Sequence, residues 1–351
     1  MNKKSIAIGI LVVGLVVLSY LNVLPDTTAI QMVFNIALIV AGFVLLIKGA
    51  DIFVDGASKI ATKFNIPQMV IGLTIVAFGT SLPEAAISIK AAVNKNAGIT
   101  VGNVVGSNIM NILLILGVAS CIAALPIKKN TFRIEIPFVI FITVVLLVLG
   151  ILGGELSLLD GVILIVLMAI FMVYLIKSAK NGEADDDTTV VTEKDTMLKL
   201  IFFVVLGGVC IVIGSNVTVD AATYVAGKLG MDDRLIGLTV VAFGTSLPEL
   251  VTSATAAKQG KVDIAIGNIV GSNIFNILFV VGVSTIVSNI AAGLPVAFAT
   301  AFIKDAVVAI IAAVLLFLCV MKNKKLDKKG GILMLVVYAA YFAYILYMNY
   351  N

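Results

Sequence analysis

The sequence predicts an all-α membrane protein, and three features of the chain carry this prediction. Hydrophobic residues make up 61% of the 351 residues and charged residues only 13%, which leaves too few polar groups to cover a water-soluble surface. The apolar residues fall into about eleven runs that are each long enough to cross the ~30 Å hydrocarbon core of a bilayer. The third feature is a duplicated sequence block that carries one glutamate in each copy.

The apolar runs give the predicted membrane spans in chain order. They cover residues 5–24, 30–50, 67–92, 97–125, 134–152, 157–176, 198–218, 235–257, 262–288, 301–321 and 332–348. The first is an extra N-terminal span, either a retained anchor or a signal peptide. Its length and the lack of a small-x-small cleavage site favour retention. The remaining spans form two sets of five, which make up the predicted ten-helix core.

The basic residues predict the orientation of the chain, since cytoplasmic loops are enriched in Lys and Arg. If the N-terminus is cytoplasmic, all 24 basic residues lie inside except Lys90, Lys95, Lys228, Arg234 and Lys304. We therefore expect a multi-pass protein of the cell membrane, with a cytoplasmic N-terminus if the first segment is retained.

Other residue types exclude several classes of chemistry. Cys121, Cys210 and Cys319 stand singly in apolar segments and predict neither disulfides nor a metal cluster. The chain has no histidine, which excludes histidine-ligated metals and histidine bases. No pairing of a nucleophile with a base is apparent, so we expect no enzyme. We also expect no cofactor, no nucleic-acid partner and no obligatory protein partner.

The chain contains an internal duplication with an offset of 165 residues. Residues 71–84 read IGLTIVAFGTSLPE and residues 236–249 read IGLTVVAFGTSLPE; residues 102–113 read GNVVGSNIMNIL and residues 267–278 read GNIVGSNIFNIL. The predicted organisation is an N-terminal segment, a first repeat, a cytoplasmic linker and a second repeat, at residues 1–29, 30–178, 179–196 and 197–351. Because each repeat has an odd number of spans, the second is inverted relative to the first, as in many secondary transporters.

The first block predicts a cluster of oxygen ligands inside the membrane. Pro83 cannot donate a backbone hydrogen bond and its ring displaces a preceding carbonyl, so main-chain oxygens at Gly79 and Thr80 are expected to be freed. Glu84 lies one helical turn beyond Thr80, and the Ser81 hydroxyl is adjacent. Hard cations such as Ca²⁺ and Na⁺ prefer such an environment of oxygen atoms.

The second block predicts a polar stripe on a tightly packed helix. Asn103, Ser107 and Asn111 follow one another at four-residue spacing and so share one helix face. Gly102 and Gly106 are expected to permit close approach of a neighbouring helix.

Each of these features taken alone also has a purely structural interpretation. A Gly-Ser-Asn cluster is common in helix packing, a proline often marks a simple kink, and a buried glutamate can be the partner of a lysine. The nearest basic residue to Glu84 is Lys90, almost two turns away. Duplication of the whole set favours an ion site.

The paired glutamates predict the type of activity. A charge at the centre of a membrane helix costs roughly 2.5 to 3.5 kcal/mol, so two matched ones need a function. Glu84 and Glu249, facing each other in a low-dielectric interior, would repel and take up protons or cations. One divalent ion, or several monovalent ions, would neutralise both. An antiporter requires at least a site that must bind one of the two kinds of ion before it can open to the other side of the membrane.

At these motifs the chain resembles the cation/calcium antiporter superfamily and, within it, the sodium/calcium exchangers of the prokaryotic type. Their repeats carry GTS-x-PE and GSN-x-x-N motifs, and the resemblance extends from residue 30 to nearly the end of the chain. It implies a ten-helix fold of inverted repeats and exchange of Ca²⁺ for Na⁺ by alternating access. The expected gating motion is a sliding of helices 30–50 and 198–218 across the core.

The resemblance also implies which residues bind the transported ions. The calcium position would use two carboxylates and two main-chain oxygens, from Glu84, Glu249, Thr80 and Thr245. Flanking sodium positions would use four hydroxyls and two carbonyls, from Ser81, Ser246, Ser107, Ser272, Ala77 and Ala242. Two amides would complete the centre, those of Asn111 and Asn276.

Departures from related branches bear on the coupling ion. Potassium-dependent exchangers typically have an aspartate where Asn276 stands, which disfavours potassium coupling. Proton/calcium exchangers have a glutamate in a GNxxE pattern, whereas Gly102 and Gly267 begin GNVVGSN and GNIVGSN. A proton- or potassium-coupled antiporter remains the alternative to sodium coupling, and a passive cation channel is a third possibility.

Overall fold

The computed structural model of the chain is built almost entirely of membrane-spanning helices. It describes residues 12, 14–16, 28–93, 98–181, 191–192, 195–230, 242–298 and 300–350. Among these residues, eight helices are long and apolar enough to span a bilayer, or nine if one bent pair counts as a single span. The predicted all-α membrane architecture is confirmed. Most of the span predicted at 5–24, the start of the span at 235–257 and most of the linker lie outside the described residues.

From residue 28 onward, the described residues of the first half form six helices and two very short strands. The helices are α1 (Thr28–Phe64), α2 (Gln68–Thr80), α3 (Leu82–Val93), α4 (98–122), α5 (Thr131–Gly153) and α6 (Leu158–Asn181). The strands are β1 (Leu125–Pro126), after α4, and β2 (Glu155–Leu156), after α5. The helix α1 extends to Phe64, well beyond the predicted end at residue 50.

The second half repeats this order. The helices are α7 (Met197–Lys228), α8 (Ala242–Thr245), α9 (Leu247–Lys258), α10 (262–292), α11 (Thr300–Met321) and α12 (Lys328–Tyr350). The strands are β3 (Val296–Ala297), after α10, and β4 (Lys325–Leu326), after α11. The N-terminus of α7 is capped by Thr196, whose hydroxyl accepts a hydrogen bond from the Lys199 backbone amide.

The four strands connect the two halves of the chain. Strand β1 pairs with β4, and β2 pairs with β3, both antiparallel. By their place in the order of elements, β1 corresponds to β3 and β2 corresponds to β4. The pairing of β1 with β4 is therefore the counterpart of the pairing of β3 with β2.

The helices α1 and α7 pack with their backbones in direct contact. A Cβ atom added at Gly42 would lie 2.9 Å from the Gly214 carbonyl oxygen, and one added at Gly49 would lie 2.9 Å from the Gly207 carbonyl oxygen. These separations leave no room for a side chain. Since residue numbers rise along one helix as they fall along the other, the two helices are antiparallel.

The helices α4 and α10 form the centre of the molecule. They are largely buried, whereas only a small share of the apolar stretches of α1, α6, α7 and α12 is buried, as expected for helices in contact with lipid. The polar stripes predicted on residues 102–113 and 267–278 therefore lie on the two innermost helices.

Close approach of helices at the second block is seen at Gly271. A Cβ added at Gly271 would lie 2.8 Å from the Leu73 carbonyl oxygen and 2.7 Å from the Ala77 Cβ atom. By the offset of 165 residues, the corresponding partners of Gly106 are Leu238 and the side chain of Ala242, which lie outside the described part of the chain. The expectation that Gly106 permits close helix approach therefore stays a prediction.

We predict that Gly271→Ala destabilises the protein. The methyl group at position 271 must displace the backbone of α2, and overpacking of this kind costs about 1 to 3 kcal/mol. Thermal unfolding of the purified variant in detergent, beside the unaltered protein, measures this loss. An unchanged unfolding midpoint would contradict the close contact between α10 and α2.

Asp195 links the end of the linker to both long outer helices. Its carboxylate accepts hydrogen bonds from the Thr192 backbone amide (3.1 Å), the Thr192 hydroxyl (3.0 Å) and the Lys199 ammonium (3.1 Å). The Lys59 ammonium of α1 lies 3.8 Å away, and Lys63 donates to the Asp195 carbonyl oxygen at 2.9 Å. The Thr192 amide, followed by Lys199, holds the pKa of Asp195 well below its usual range.

We predict a pH-dependent stabilisation by Asp195. Because its pKa is lower in the folded state than in the unfolded state, the stabilisation is complete above the unfolded pKa of about 4 and declines as the pH falls below it. Asp195→Asn should therefore lower the thermal unfolding midpoint at pH 7, and the difference from the unaltered protein should narrow below pH 4. A difference that widens with acidification would contradict the assignment.

Candidate functional site

Two helix breaks lie at the same position of the duplicated block. Ser81 separates α2 from α3 with φ −86° and ψ 8°, and Ser246 separates α8 from α9 with φ −94° and ψ 5°. The axes of α2 and α3 differ by 51°. Each break directly precedes a Leu-Pro-Glu sequence. This location is expected, because proline is tolerated in the first turn of a helix but not in its interior.

The two breaks place Glu84 and Glu249 close together in the protein interior. Both side chains have 0% exposure. The Ser81 hydroxyl donates a hydrogen bond of 2.7 Å to Glu249 Oε1, which joins the two halves of the chain. The Glu84 carboxylate is near enough to Glu249 for the two groups to repel each other when both are ionised.

The oxygen atoms of this pair are largely without protein partners. Both Glu84 oxygens and Glu249 Oε2 accept no hydrogen bond. The Ser246 hydroxyl lies beside the Glu84 carboxylate, but not in hydrogen-bonding geometry. Among the ion pairs of the described residues, none includes either glutamate. Within this part of the chain, the paired acids are therefore not the anionic halves of salt bridges.

Neutral oxygen atoms surround the two carboxylates. The Thr80 hydroxyl is buried next to Glu249 and donates to Asn268 Oδ1 at 3.0 Å. The Ser272 hydroxyl also lies next to Glu249 and has no hydrogen-bond partner. The Ser246 hydroxyl donates to Ser107 Oγ across a long contact of 3.4 Å. Such weakly held hydroxyls can turn their oxygen atoms toward a cation.

The two predicted amide ligands each begin a π-helical turn. Asn111 starts the turn Asn111–Ile115 in α4, and Asn276 starts the turn Asn276–Val281 in α10. Both side chains are fully buried. Neither amide atom of Asn111 has a partner, and Asn276 Oδ1 has none. π-helical turns within α-helices are frequent at functional sites, since the extra residue re-aims the side chains.

The remaining predicted site residues are less completely defined. The Ala77 carbonyl oxygen accepts a hydrogen bond from the Ser81 amide (3.1 Å) and lies 3.3 Å from the Thr80 hydroxyl oxygen. Ala242 begins α8, and the structure does not describe its side chain. Thr245 is the last residue of α8, directly before the break, and is half-buried.

Several buried polar residues next to the site did not enter the predicted set. Asn268 accepts from Thr80 and donates to Ser253 at 2.9 Å. Its counterpart Asn103 makes the equivalent bond to Ser88 at 3.1 Å. Asn108 bonds to both Asn273 and Asn276. Their presence in both copies of the GN-x-V-GSN block could have identified them.

The arrangement is chemically suited to one kind of ligand. Two carboxylates and several hydroxyl, amide and carbonyl oxygens supply only hard ligands, which suit Ca²⁺ and Na⁺. The described residues contain no group of three or more His, Cys, Asp or Glu side chains that could hold a metal ion. Soft transition metals, which favour thiolate or imidazole ligands, have no suitable ligand set in this part of the chain.

Comparisons with known proteins agree with this chemistry. The family described as "Sodium/calcium exchanger protein" matches residues 34–177 and 199–347. The sodium/calcium exchanger MaX1 of Methanosarcina acetivorans is 32% identical over 356 residues, covering 90% of this chain and 99% of the relative. The inner membrane protein YrbG of Escherichia coli (strain K12) is 35% identical over 264 residues, covering 73% and 81%.

A solved structure has the same fold. The sodium-calcium exchanger NCX_Mj, soaked with Na⁺ and Ca²⁺, superimposes with a TM-score of 0.75 and is 33% identical, covering 88% of this chain and 97% of that protein. Both the sequence match and the structural match extend over nearly the whole molecule, so the chain belongs to the sodium/calcium exchanger family.

Proposed function

We propose that this protein exchanges Ca²⁺ for Na⁺ across the membrane at the site between Glu84 and Glu249. The observation that carries the proposal is a pair of fully buried carboxylates, brought together by two helix breaks, with no basic partner among the residues that the structure describes. Exchangers named for sodium and calcium among its relatives support the same ion pair.

The charge of the site accounts for a divalent ion. Two ionised carboxylates in a low-dielectric interior are strongly unfavourable, since the desolvation penalty is several kcal/mol per ion. One Ca²⁺ shared by Glu84 and Glu249 cancels both charges. Three of the four carboxylate oxygens of the two glutamates accept no hydrogen bond and are available to bind Ca²⁺. Main-chain oxygens at Thr80 and Thr245 would complete the set of calcium ligands.

The neutral groups account for sodium. Sodium ions at flanking positions would share the same carboxylates and draw on hydroxyl, carbonyl and amide oxygens: those of Ser81, Ser246, Ser107, Ser272, Ala77, Ala242, Asn111 and Asn276. Because Ca²⁺ and Na⁺ need the same two carboxylates, binding of one ion displaces the other from the site. This competition for shared ligands couples calcium transport to sodium transport.

We propose that residues 30–178 and 197–351 are inverted repeats and that α1 and α7 slide together across the core to expose the site to one side at a time. The antiparallel packing of α1 and α7, which open the two halves, and the exchange of β1–β4 for β2–β3 support this arrangement. We further propose that the protein lies in the cell membrane, that a retained N-terminus is cytoplasmic and that residues 179–196 form a cytoplasmic linker.

We predict that Glu84→Gln and Glu249→Gln each abolish calcium transport. Glutamine keeps the shape of the side chain but removes the charge that binds Ca²⁺, and the loss in uptake rate should be at least about 100-fold, the upper range for perturbed metal sites. The measurement is calcium uptake into proteoliposomes that contain the purified variant.

Glu135→Gln provides the matched control. Glu135 is equally inaccessible, with 2% exposure, but lies in α5 and accepts a hydrogen bond of 2.8 Å from the Tyr174 hydroxyl. This variant should transport at a normal rate. Normal transport by either site variant would refute the assignment of Glu84 and Glu249.

The coupling ion is tested by imposing one gradient at a time. We predict that an outward Na⁺ gradient drives calcium uptake in proteoliposomes, whereas outward K⁺ and H⁺ gradients of equal size do not. Uptake that follows the proton gradient would replace the proposal with H⁺/Ca²⁺ exchange. Uptake in the absence of any counter-ion gradient, at a rate set by calcium alone, would indicate a passive channel.

A further inference from the structure

Asn108 of α4 lies behind the proposed site and links the two innermost helices. Its side chain is 2% exposed and forms two hydrogen bonds, both to α10. Asn108 Nδ2 donates to the Asn273 carbonyl oxygen at 3.1 Å, and Asn108 Oδ1 accepts from Asn276 Nδ2 at 3.2 Å.

The chemistry of these partners fixes the orientation of both amides. A main-chain carbonyl can only accept a hydrogen bond, so the Asn108 atom beside the Asn273 carbonyl must be the NH₂ group. The oxygen of Asn108 therefore faces Asn276, and the Asn276 atom that meets it must also be an NH₂ group. As a result, Asn276 Oδ1 points away from Asn108, and it is buried without a partner.

The partnerless oxygen of Asn276 belongs to the same helix face as the ion site. Asn276 lies one turn beyond Ser272 in α10, and Ser272 is adjacent to the Glu249 carboxylate. A buried amide oxygen without a donor is unfavourable unless a ligand occupies it. A cation held by Glu249 and Ser272 satisfies it.

The equivalent connection is missing in the other repeat. By the offset of 165 residues, Asn273 corresponds to Asn108 and Asn111 corresponds to Asn276. Asn273 Nδ2 instead donates to the Ile269 carbonyl oxygen of its own helix, at 2.8 Å, and neither amide atom of Asn111 has a partner. Of the two amides proposed as ion ligands, those of Asn111 and Asn276, only the Asn276 amide is held in one orientation by a hydrogen bond.

We propose that Asn108 is a positioning residue, which holds the Asn276 amide with its oxygen toward the transported cation. This inference rests on the proposed function of the site and adds a residue that touches no ion itself. Without Asn108, the Asn276 amide is free to rotate and to present its NH₂ group to the cation, which weakens binding without removing a ligand.

The test is the calcium dependence of sodium-driven uptake in proteoliposomes. Asn108→Leu, which has a similar volume but no hydrogen bonds, should raise the KM for Ca²⁺ about 10-fold, as expected for a second-layer partner of a metal ligand, with a smaller change in maximal rate. The matched control is Asn273→Leu, because its side chain bonds only within α10 and its backbone carbonyl remains available to Asn108. This variant should keep a normal KM. A normal KM in Asn108→Leu, or an equal rise in both variants, overturns the proposal.

A double-mutant cycle shows whether Asn108 acts through Asn276. In an Asn276→Ala background there is no amide to orient, so adding Asn108→Leu should raise the KM no further. Additive increases would mean that Asn108 acts elsewhere and would overturn the inference. If Asn276→Ala itself has a normal KM, the error lies in the proposed ion site instead.

A second substitution covers the case in which leucine prevents folding. Asn108→Ser keeps a polar group at this buried position, but its hydroxyl is too short to reach Asn276. It should show the same rise in KM with a thermal unfolding midpoint close to that of the unaltered protein. A well-folded Asn108→Ser variant with a normal KM overturns the proposal.

Discussion

Burial of two like charges side by side is the constraint on which the rest of this structure depends. Glu84 and Glu249 are fully inaccessible, repel each other and have no basic neighbour among the ion pairs of the described residues. Such a pair is strongly unfavourable without bound cations. The surrounding helices must therefore hold the two carboxylates in position against their repulsion. The helices that do so are the broken ones that carry the two glutamates and the innermost ones, α4 and α10, that carry the polar stripes.

Backbone contact between helices supplies this rigidity. At Gly267 and Gly271 the helix α10 lies against the main chain of α2, so that a Cβ atom would come within 2.8 Å of a carbonyl oxygen. Contacts of this kind cannot adjust by side-chain rotation, since no side chain is present. The Ser272 and Asn276 side chains of α10 are thereby held at a fixed distance from the Ser81 break that ends α2.

The duplicated blocks are nearly identical in sequence but not in contacts. Ser81 bonds to Glu249, whereas Ser246, its equivalent, turns to Ser107 and leaves both Glu84 oxygens without hydrogen bonds. Two equivalent segments that meet at one site cannot both occupy the same environment if the site faces one side of the membrane. The asymmetry is therefore expected of a transporter captured in one state.

The sequence predicted most of the fold because membrane helices are constrained by length and composition. The spans at 134–152, 157–176, 262–288 and 301–321 agree with α5, α6, α10 and α11 to within a few residues at each end. The length of α1 beyond residue 50 was not predicted, since its last part includes Asp51, Asp55, Lys59 and Lys63, which interrupt the apolar run. Hydropathy detects an apolar run and not the continuation of the helix through a charged segment, even though Phe53, Val54 and Ala57 in that segment are buried.

For the site, the sequence predicted the residue types but not their partners. The repeated glutamates, serines and asparagines were identified because polar groups in an apolar helix are costly and conspicuous. The roles of Asn108 and Asn268 were not identified, since their importance lies in contacts with residues far away in the chain. Periodicity places a side chain on a helix face, but it does not determine which helix lies opposite.

The contacts that hold α1 in place differ in kind, and this difference bears on the proposed motion. Toward α7, the contact is steric, with carbonyl oxygens against glycine positions at Gly42 and Gly49. Toward α2, Ser58 Oγ accepts a buried hydrogen bond of 2.9 Å from Gln68 Nε2. Toward the turn between α9 and α10, the contact consists of partly exposed polar pairs, Gln259 to Asp51 at 3.3 Å and Lys261 to Asp55 at 3.4 Å.

Partly exposed ion pairs contribute little free energy, typically about 0 to 1 kcal/mol, because water replaces either partner readily. Separating two helices whose backbones touch, by contrast, exposes close-packed surface without any compensating contact. These polar pairs therefore oppose a displacement of α1 less than its contact with α7 does. This difference supports the proposal that α1 and α7 slide as one unit across the core, next to the broken helices of the site.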